Sequence, residues 1–152
     1  MVERAISLEE LQKMLGMEGK PGVIEIEKGM IKKFAESVGD PNPLWQDEEY
    51  ARKTKYGGIT APPQILCTTM LSGTSHRPEV PFPFKRLLDG GGEWEFFLPL
   101  IPGDVVTSTT KFANVSEREG KLGTMVFMIF ETTHKNQRGE IVAKSRVTVI
   151  SY

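Results

Sequence analysis

The second half of the chain carries four long segments rich in Val, Thr, Ile and Phe, and this feature limits the possible folds most strongly. In order, these segments read EWEFFLPL, DVVTSTTKFANVSE, GTMVFMIFETTHKN and EIVAKSRVTVISY. β-Branched and aromatic residues favour strands, and short turns such as REGKLG and NQRG join neighbouring strands in antiparallel order. The pattern therefore predicts an antiparallel meander.

A segment that is apolar on most sides precedes these strands. It reads APPQILCTTMLSGT and opens with two prolines, which a helix accepts in its first turn. Its apolar residues are Ile65, Leu66, Met70 and Leu71. A helix with so much apolar surface has to be covered by other elements. One buried central helix followed by antiparallel strands predicts an α+β fold in which the sheet wraps round the helix, the hot-dog arrangement.

Patterns in the first third of the chain predict short elements. Ser7 and Glu10 have the spacing of a capping box, which indicates a short first helix, and the alternating stretch VIEIE indicates a short strand. Apolar residues then recur at helical spacing up to Gly39, which can end a second helix. Asp47 is a suitable N-cap for a further short helix.

Length and charge narrow the class of protein. A chain of 152 residues predicts a single domain over residues 1–152, and a net charge of −1 provides no basic face for nucleic acid or an anionic membrane. The N-terminal stretch MVERAISLEELQKML lacks the apolar run of a signal peptide, and no segment has the length of a membrane span. We therefore expect a cytoplasmic protein without nucleic-acid or membrane partners.

Few side chains could perform acid–base or metal chemistry. Cys67 is the only cysteine, which excludes internal disulfides and multi-cysteine metal sites, and its apolar surroundings indicate a buried structural thiol. His76 and His134 lie outside any motif, so a solvated or structurally bonded imidazole is favoured for each. The glycines of LDGGGEW lack the context of a phosphate-binding loop and indicate a close backbone approach or a tight turn. No metal or redox cofactor is implied.

The loop GDPNPLWQDEEYA raises a specific question. Asp40 follows the helix-ending Gly39, and two prolines restrict the backbone around this carboxylate. By itself such an acid indicates a simple Asx turn. Trp45 stands in the middle of a loop that could otherwise hold an acid and a base.

The longer stretch FAESVGDPNPLWQDEEYA resembles the signature of the MaoC-like (R)-specific enoyl-CoA hydratases and 3-hydroxyacyl thioester dehydratases. Their motif runs Gly-Asp-x-Asn-Pro-aliphatic-His, and the matching residues are Gly39, Asp40, Asn42, Pro43 and Leu44. YGGITAPPQIL and LDGGGEWEFFLPLIPGDVV resemble further family segments, so the resemblance covers nearly the whole chain. It is closest to the N-terminal, fatty-acid-synthase-type dehydratase branch. It implies a MaoC-like hot-dog domain and an acyl thioester substrate, carried by CoA or by acyl carrier protein.

The resemblance also implies roles for single residues. Asp40 matches the family's catalytic acid and Asn42 its orienting amide, but Trp45 occupies the histidine position, and an indole cannot exchange the proton. The family's small-His-Gly sequence, whose glycine N–H is the oxyanion donor, is replaced by Ala61-Pro62-Pro63, and proline has no N–H. A site that lacks both groups is expected to have no useful hydratase activity.

These departures predict a non-catalytic, substrate-shaping subunit of such a hydratase or dehydratase, paired with a hot-dog subunit that has the intact Asp and His motif. Two alternatives stay open: a self-sufficient homodimeric hydratase that uses Asp40 with a displaced base such as His76, and an acyl-thioester-binding module without turnover. The expected substrate-binding residues are Trp45 as an apolar wall, Tyr56, Gly57, Pro62 and Pro63 near the central helix, and Arg77 and Arg86, beside Lys85, for the CoA phosphates.

The third strand segment indicates an assembly. Its residues show no polar alternation from Met125 to Phe130, which predicts that one face packs on the central helix and the other on a neighbouring element or chain. A single sheet of this kind also has edges that need cover. We therefore expect a dimer and no stable monomer.

Overall fold

The computed structural model describes residues 4–68, 77–121 and 123–152. Its strands are β1 (Gly22–Glu25), β2 (Leu87–Phe96), β3 (Val105–Gly120), β4 (Gly123–Lys135) and β5 (Ile141–Ser151). Its helices are α1 (Leu8–Lys13), α2 (Lys28–Val38) and α3 (Glu48–Arg52), and two 3₁₀ turns cover Pro43–Trp45 and Pro63–Leu66.

The local signals that predicted the short helices are confirmed. Ser7 and Glu10 form the capping box at the start of α1. Gly39 ends α2 in the left-handed conformation, with φ of 69°, which favours glycine because it has no Cβ. The Asp47 carboxylate caps α3 by accepting the backbone N–H of Tyr50 at 3.0 Å. Each signal acts within a few residues, so the sequence alone was sufficient.

The five strands form one antiparallel sheet in the order β1-β3-β4-β5-β2. β3, β4 and β5 form the predicted meander, but the prediction was wrong about β2, which pairs with β5 rather than with the strand that follows it. The connection from β2 to β3 packs into the core, where Leu100 is buried and its carbonyl accepts the N–H of Ala61 at 2.7 Å. This packing carries the chain across the sheet before β3 begins.

The glycine-rich stretch belongs to β2, which begins at Leu87 rather than at Glu93. A Cβ on Gly90 would lie 2.7 Å from Thr148 Cγ2, so this position needs a glycine. The register shifts between Asp89 and Gly92, as in a β-bulge. The expectation of a close approach is therefore confirmed, and the glycines lie within the strand rather than before it.

The predicted central helix falls partly outside the described residues. Its described part consists of the 3₁₀ turn Pro63–Leu66 and of residues 67–68 in helical conformation, and residues 69–76 are not described. Ile65 and Leu66 are almost fully buried, as expected for a segment that the sheet covers. In the described ranges no helix is long and apolar enough to span a bilayer.

The two faces of the sheet differ in burial. On β4 every second residue from Val126 to His134 is buried, whereas Met125, Phe127 and Ile129 on the opposite face are only partly covered. The buried face, here called the inner face, carries two apolar clusters, one around Ile65 and one around Phe112. That a second chain covers the outer face remains a prediction.

Candidate functional site

The loop after α2 holds its acid in a fixed position. The left-handed Gly39 reverses the chain, and the Asp40 backbone N–H then donates to the carbonyl of Ala35 at 2.9 Å. Asp40 Oδ1 accepts the N–H of Asn42 at 3.0 Å, and Asn42 Oδ1 accepts the N–H of Leu44 at 3.0 Å. These two successive Asx turns build the frame that the motif predicted.

The second carboxylate oxygen of Asp40 is bonded to the side chain of Trp45. The indole Nε1 donates to Asp40 Oδ2 at 2.8 Å, so the tryptophan faces the carboxylate at the position where the family motif has a histidine. An indole N–H is a donor only and has no acceptor nitrogen. The pair therefore keeps the contact between acid and ring, but no proton can be exchanged through it.

Trp45 also forms part of an apolar pocket of about 70 Å³. Its walls are largely apolar and come from the motif loop, the start of the central helix and the end of β2: Leu44, Trp45, Tyr56, Thr60, Ala61, Pro63, Leu66, Phe96, Leu98, Pro99, Leu100 and Val142. We call this the acyl pocket, after the substrate class that the sequence resemblance implies. The sequence prediction included Trp45, Tyr56 and Pro63, and the pocket brings all three together.

Phe96 and Leu98 are pocket residues that the sequence prediction missed. Both are about 40% exposed, and they belong to the run FFLPL at the end of β2. Two aromatic rings followed by leucine at the end of a strand could have indicated a binding wall. The fold determines which residues face Phe96 and Leu98 across the pocket, and the sequence alone does not show them.

The start of the central helix has no backbone donor at the predicted positions. The N–H of Ala61 donates to the Leu100 carbonyl, and Pro62 and Pro63 have none. Pro62 is buried and does not line the acyl pocket, whereas Pro63 is exposed at its wall. An oxyanion cannot be held by an N–H of these three residues.

Tyr56 connects the acyl pocket to a second cleft. This cleft has a volume of about 370 Å³, and Tyr56 and Gly57 line it together with the cations Lys28 and Arg52. Both cations pair with the carboxylate of Glu48. Gly57 therefore lines this second cleft and not the acyl pocket, and its contact with substrate stays a prediction.

The arginines predicted to contact phosphate lie elsewhere in the single chain. The Arg77 guanidinium packs over the rings of Phe82, at 4.4 Å, and Phe130, at 5.0 Å, and this burial lowers its pKa. Arg86 precedes β2 and lies 6.0 Å from the ring of Tyr152. Arg86 directly precedes Leu87, at the end of β2 opposite Phe96, and neither arginine lines the acyl pocket, so their contact with substrate stays a prediction.

Other reactive groups do not join this site. Cys67 is partly buried, and burial raises the pKa of its thiol, in agreement with a structural thiol. His134 is fully buried and bonded to Ser108, as expected for a structural imidazole, and His76 lies outside the described residues. In the part of the chain that the structure describes, no cluster of His, Cys, Asp and Glu could hold a metal ion.

A further cleft lies on the outer face of the sheet and is lined by paired charges. Its volume is about 480 Å³, and Lys111, Glu131 and Arg146 line it. Arg146 donates to Glu131 at 2.6 Å and, with Lys111, holds the pKa of this carboxyl below its usual range. Because the charges compensate each other, this cleft offers no selective site.

Comparison with known proteins places the chain in a dehydratase family. The family described as the FAS1-like dehydratase domain region matches residues 13–145. The probable enoyl-CoA hydratase alpha subunit of Thermomonospora curvata is 30% identical over 139 residues, which cover 81% of this chain and 44% of that protein. This chain therefore spans less than half the length of that relative.

Solved structures share the fold. The MaoC-like dehydratase of Rhodospirillum rubrum superposes with a TM-score of 0.75 at 24% identity and 97% coverage of both chains. A chain of the ChsH1-ChsH2 complex of Mycobacterium tuberculosis also gives a TM-score of 0.75, at 19% identity and with 95% and 97% of the two chains covered. The curled antiparallel sheet is thus the hot-dog fold of these proteins, as predicted.

Proposed function

Because this chain belongs to the FAS1-like dehydratase family and has the hot-dog fold, we propose that it is a non-catalytic, substrate-shaping subunit of an enoyl-CoA hydratase or 3-hydroxyacyl thioester dehydratase. The single observation that carries the proposal is the hydrogen bond from Trp45 Nε1 to Asp40 Oδ2. The carboxylate that would act on water is bonded instead to the indole N–H. This N–H is a donor only and cannot serve as a base.

The missing groups account for a large loss of rate. General acid–base assistance contributes about a hundred- to ten-thousand-fold, and one oxyanion donor about a hundred- to a thousand-fold. Trp45 replaces the first group, and Pro62 and Pro63 have no N–H for the second. Such factors do not simply multiply, but the loss of both leaves the isolated chain nearly inert towards enoyl thioesters.

The acyl pocket supports a role in substrate binding. Its walls are apolar, with the Trp45 indole at one side and Phe96 and Leu98 at the mouth. A flat aromatic ring held by its hydrogen bond to Asp40 and by its packing on the core provides a rigid wall for an acyl group. In the adjoining cleft Lys28 and Arg52 share the single carboxylate of Glu48, which leaves one positive charge in excess near the pocket for an anionic carrier.

The edge of the sheet supports pairing with a second hot-dog subunit. β2 has β5 on one side, and nearly all its residues are exposed, among them Leu87, Leu88 and Phe96. Although β2 carries Asp89, Glu93 and Glu95, it has no lysine or proline, and its exposed Leu87, Leu88 and Phe96 provide a surface for pairing with another strand. The relative from Thermomonospora curvata is named an alpha subunit, and the related fold from Mycobacterium tuberculosis was solved as a complex, which supports a hetero-oligomer.

Co-expression tests this proposal. The chain is produced alone and together with the product of a neighbouring small open reading frame that carries the intact Asp and His motif, and both preparations are assayed for hydration of enoyl-CoA. We expect turnover in the complex only, and its loss when the partner's histidine is replaced. Hydration by the isolated chain at a rate normal for a hydratase, abolished by Asp40→Asn, would instead establish the self-sufficient homodimer. Tight acyl-CoA binding without turnover in either preparation would establish the binding module.

A further inference from the structure

The inner face of the sheet carries a row of buried polar side chains across β3, β4 and β5. The row consists of Ser108, Thr110, Thr132, His134 and Ser145, each at most 6% exposed. The strand register sets Ser108 opposite His134, and Thr132 opposite both Thr110 and Ser145. Buried polar groups need hydrogen-bond partners, so each atom of this row calls for one.

Only part of the row is satisfied within the described chain. Ser108 Oγ lies 2.7 Å from His134 Nδ1, and the hydroxyls of Thr110 and Thr132 lie 2.8 Å apart. Among the described residues, His134 Nε2 and Ser145 Oγ have no hydrogen-bond partner. A buried polar atom left unpaired costs about 1–3 kcal/mol, so two such atoms on one face indicate a group that binds there.

The chemistry of His134 Nε2 and Ser145 Oγ favours a hydrogen-bond acceptor as the bound group. Burial lowers the pKa of His134 to about 4, so its ring is neutral at physiological pH. When the Ser108 hydroxyl donates to Nδ1, the neutral ring carries its proton on Nε2 and donates from there. Ser145 lies diagonally opposite His134 across β4 and β5. Residues placed in this way have Cα atoms about 7–8 Å apart, a distance that long or aromatic side chains can bridge. Both donors lie on the inner face, two residues apart in register, and an oxygen acceptor is the chemical complement of each.

The row adjoins the acyl pocket. The Trp94 ring stacks on His134 at 5.3 Å and on Phe96 at 5.8 Å, and Phe96 lines the pocket. On β5, the pocket residue Val142 directly precedes Ala143, which pairs with His134. One aromatic ring therefore separates the polar row from the pocket, and it belongs to the edge strand β2.

We propose that His134 and Ser145 form a polar subsite that hydrogen-bonds an oxygen, carbonyl or hydroxyl, carried by the acyl group at a distance from its thioester. The subsite rests on the proposed function, because it needs an acyl thioester in the acyl pocket. It narrows the substrate class to oxygenated acyl groups. Because the Trp94 ring stacks on His134, entry from the acyl pocket requires this ring to move.

Matched acyl-CoA ligands test the subsite. Binding to the purified protein, in the assembly that co-expression yields, is measured by calorimetry for a saturated acyl-CoA and for chains of equal length with an oxo group at successive positions. The variants are Ser145→Ala, which removes one donor with little change of volume, and His134→Asn, which can keep the bond to Ser108 and lacks Nε2. Thr133→Ala, on the outer face of the same strand as His134, is the control.

We expect at least one oxo chain to bind about five- to tenfold more tightly than the plain chain, as one or two added hydrogen bonds provide. This preference is lost in Ser145→Ala and in His134→Asn and kept in Thr133→Ala. Equal binding of all chains by the unmodified protein, or a preference that survives both variants, would mean that the pair holds water only and would overturn the subsite while the proposed function stands. Failure of every acyl-CoA to bind would remove the proposed function and the subsite together.

Discussion

Acid is expected to destabilise this protein through one buried imidazole. His134 is fully buried, and burial lowers its pKa from 6.5 to about 4. In the unfolded chain the ring takes up a proton near pH 6.5, whereas the folded chain resists it until about pH 4. Between these values the unfolded state binds more protons, so the free energy of unfolding falls as the pH falls. Above pH 6.5 this group has no effect.

The size of the effect follows from the two pKa values of His134. Each pH unit between them contributes about 1.4 kcal/mol, so the full loss is on the order of 3 kcal/mol. The shift comes from burial, because the partner of Nδ1 is a neutral hydroxyl on Ser108 and the ring stacks on Trp94. A loss of this size is a large fraction of the stability of an ordinary domain.

Urea unfolding at a series of pH values measures this effect. The unmodified chain and His134→Asn are compared from pH 7.5 to pH 4 at one protein concentration, because the stability of a dimer depends on concentration. His76 and the carboxylates are present in both proteins, so their contributions cancel in the difference. We expect the difference to be constant above pH 6.5 and to change by about 3 kcal/mol below it, with the unmodified chain losing more. A flat difference would refute the burial argument.

Three further predictions concern the site and the assembly. Asp40→Asn in the isolated chain is expected to leave its slow enoyl-CoA hydration unchanged in a spectrophotometric assay, and a loss of rate would contradict the inactive-subunit proposal. Trp45→Phe removes the donor to Asp40 and keeps an aromatic wall, so we expect urea unfolding to show a loss of about 1–2 kcal/mol, with acyl-CoA binding retained. Leu87→Lys on the β2 edge is expected to shift sedimentation from dimer to monomer, whereas Val23→Lys on the β1 edge, a control that is somewhat more exposed, keeps the dimer. A chain that sediments as a monomer with or without its partner would remove the shared interface.

The strongest predictions from sequence concerned features that depend on near neighbours. The capping box of Ser7 and Glu10, the left-handed Gly39 and the cap at Asp47 each involve atoms a few residues apart, so the spacing of residue types was sufficient. The motif around Asp40 is equally local, and with it came the hot-dog fold and the acyl dehydratase family. The absence of a donor at Pro62 and Pro63 is a property of the residue type alone.

The tertiary structure determined the contacts between segments that are distant in the sequence. Ser108 and His134 are separated by a turn and most of two strands, and only the register of β3 and β4 sets their side chains together. The place of β2 beside β5 depends on how the residues around Leu100 pack, which no spacing rule predicts. The sequence alone determined that Trp45 cannot act as a base. That its indole points at Asp40 and closes the acyl pocket depended on the core behind it, because side-chain direction in a loop follows from packing and not from residue type.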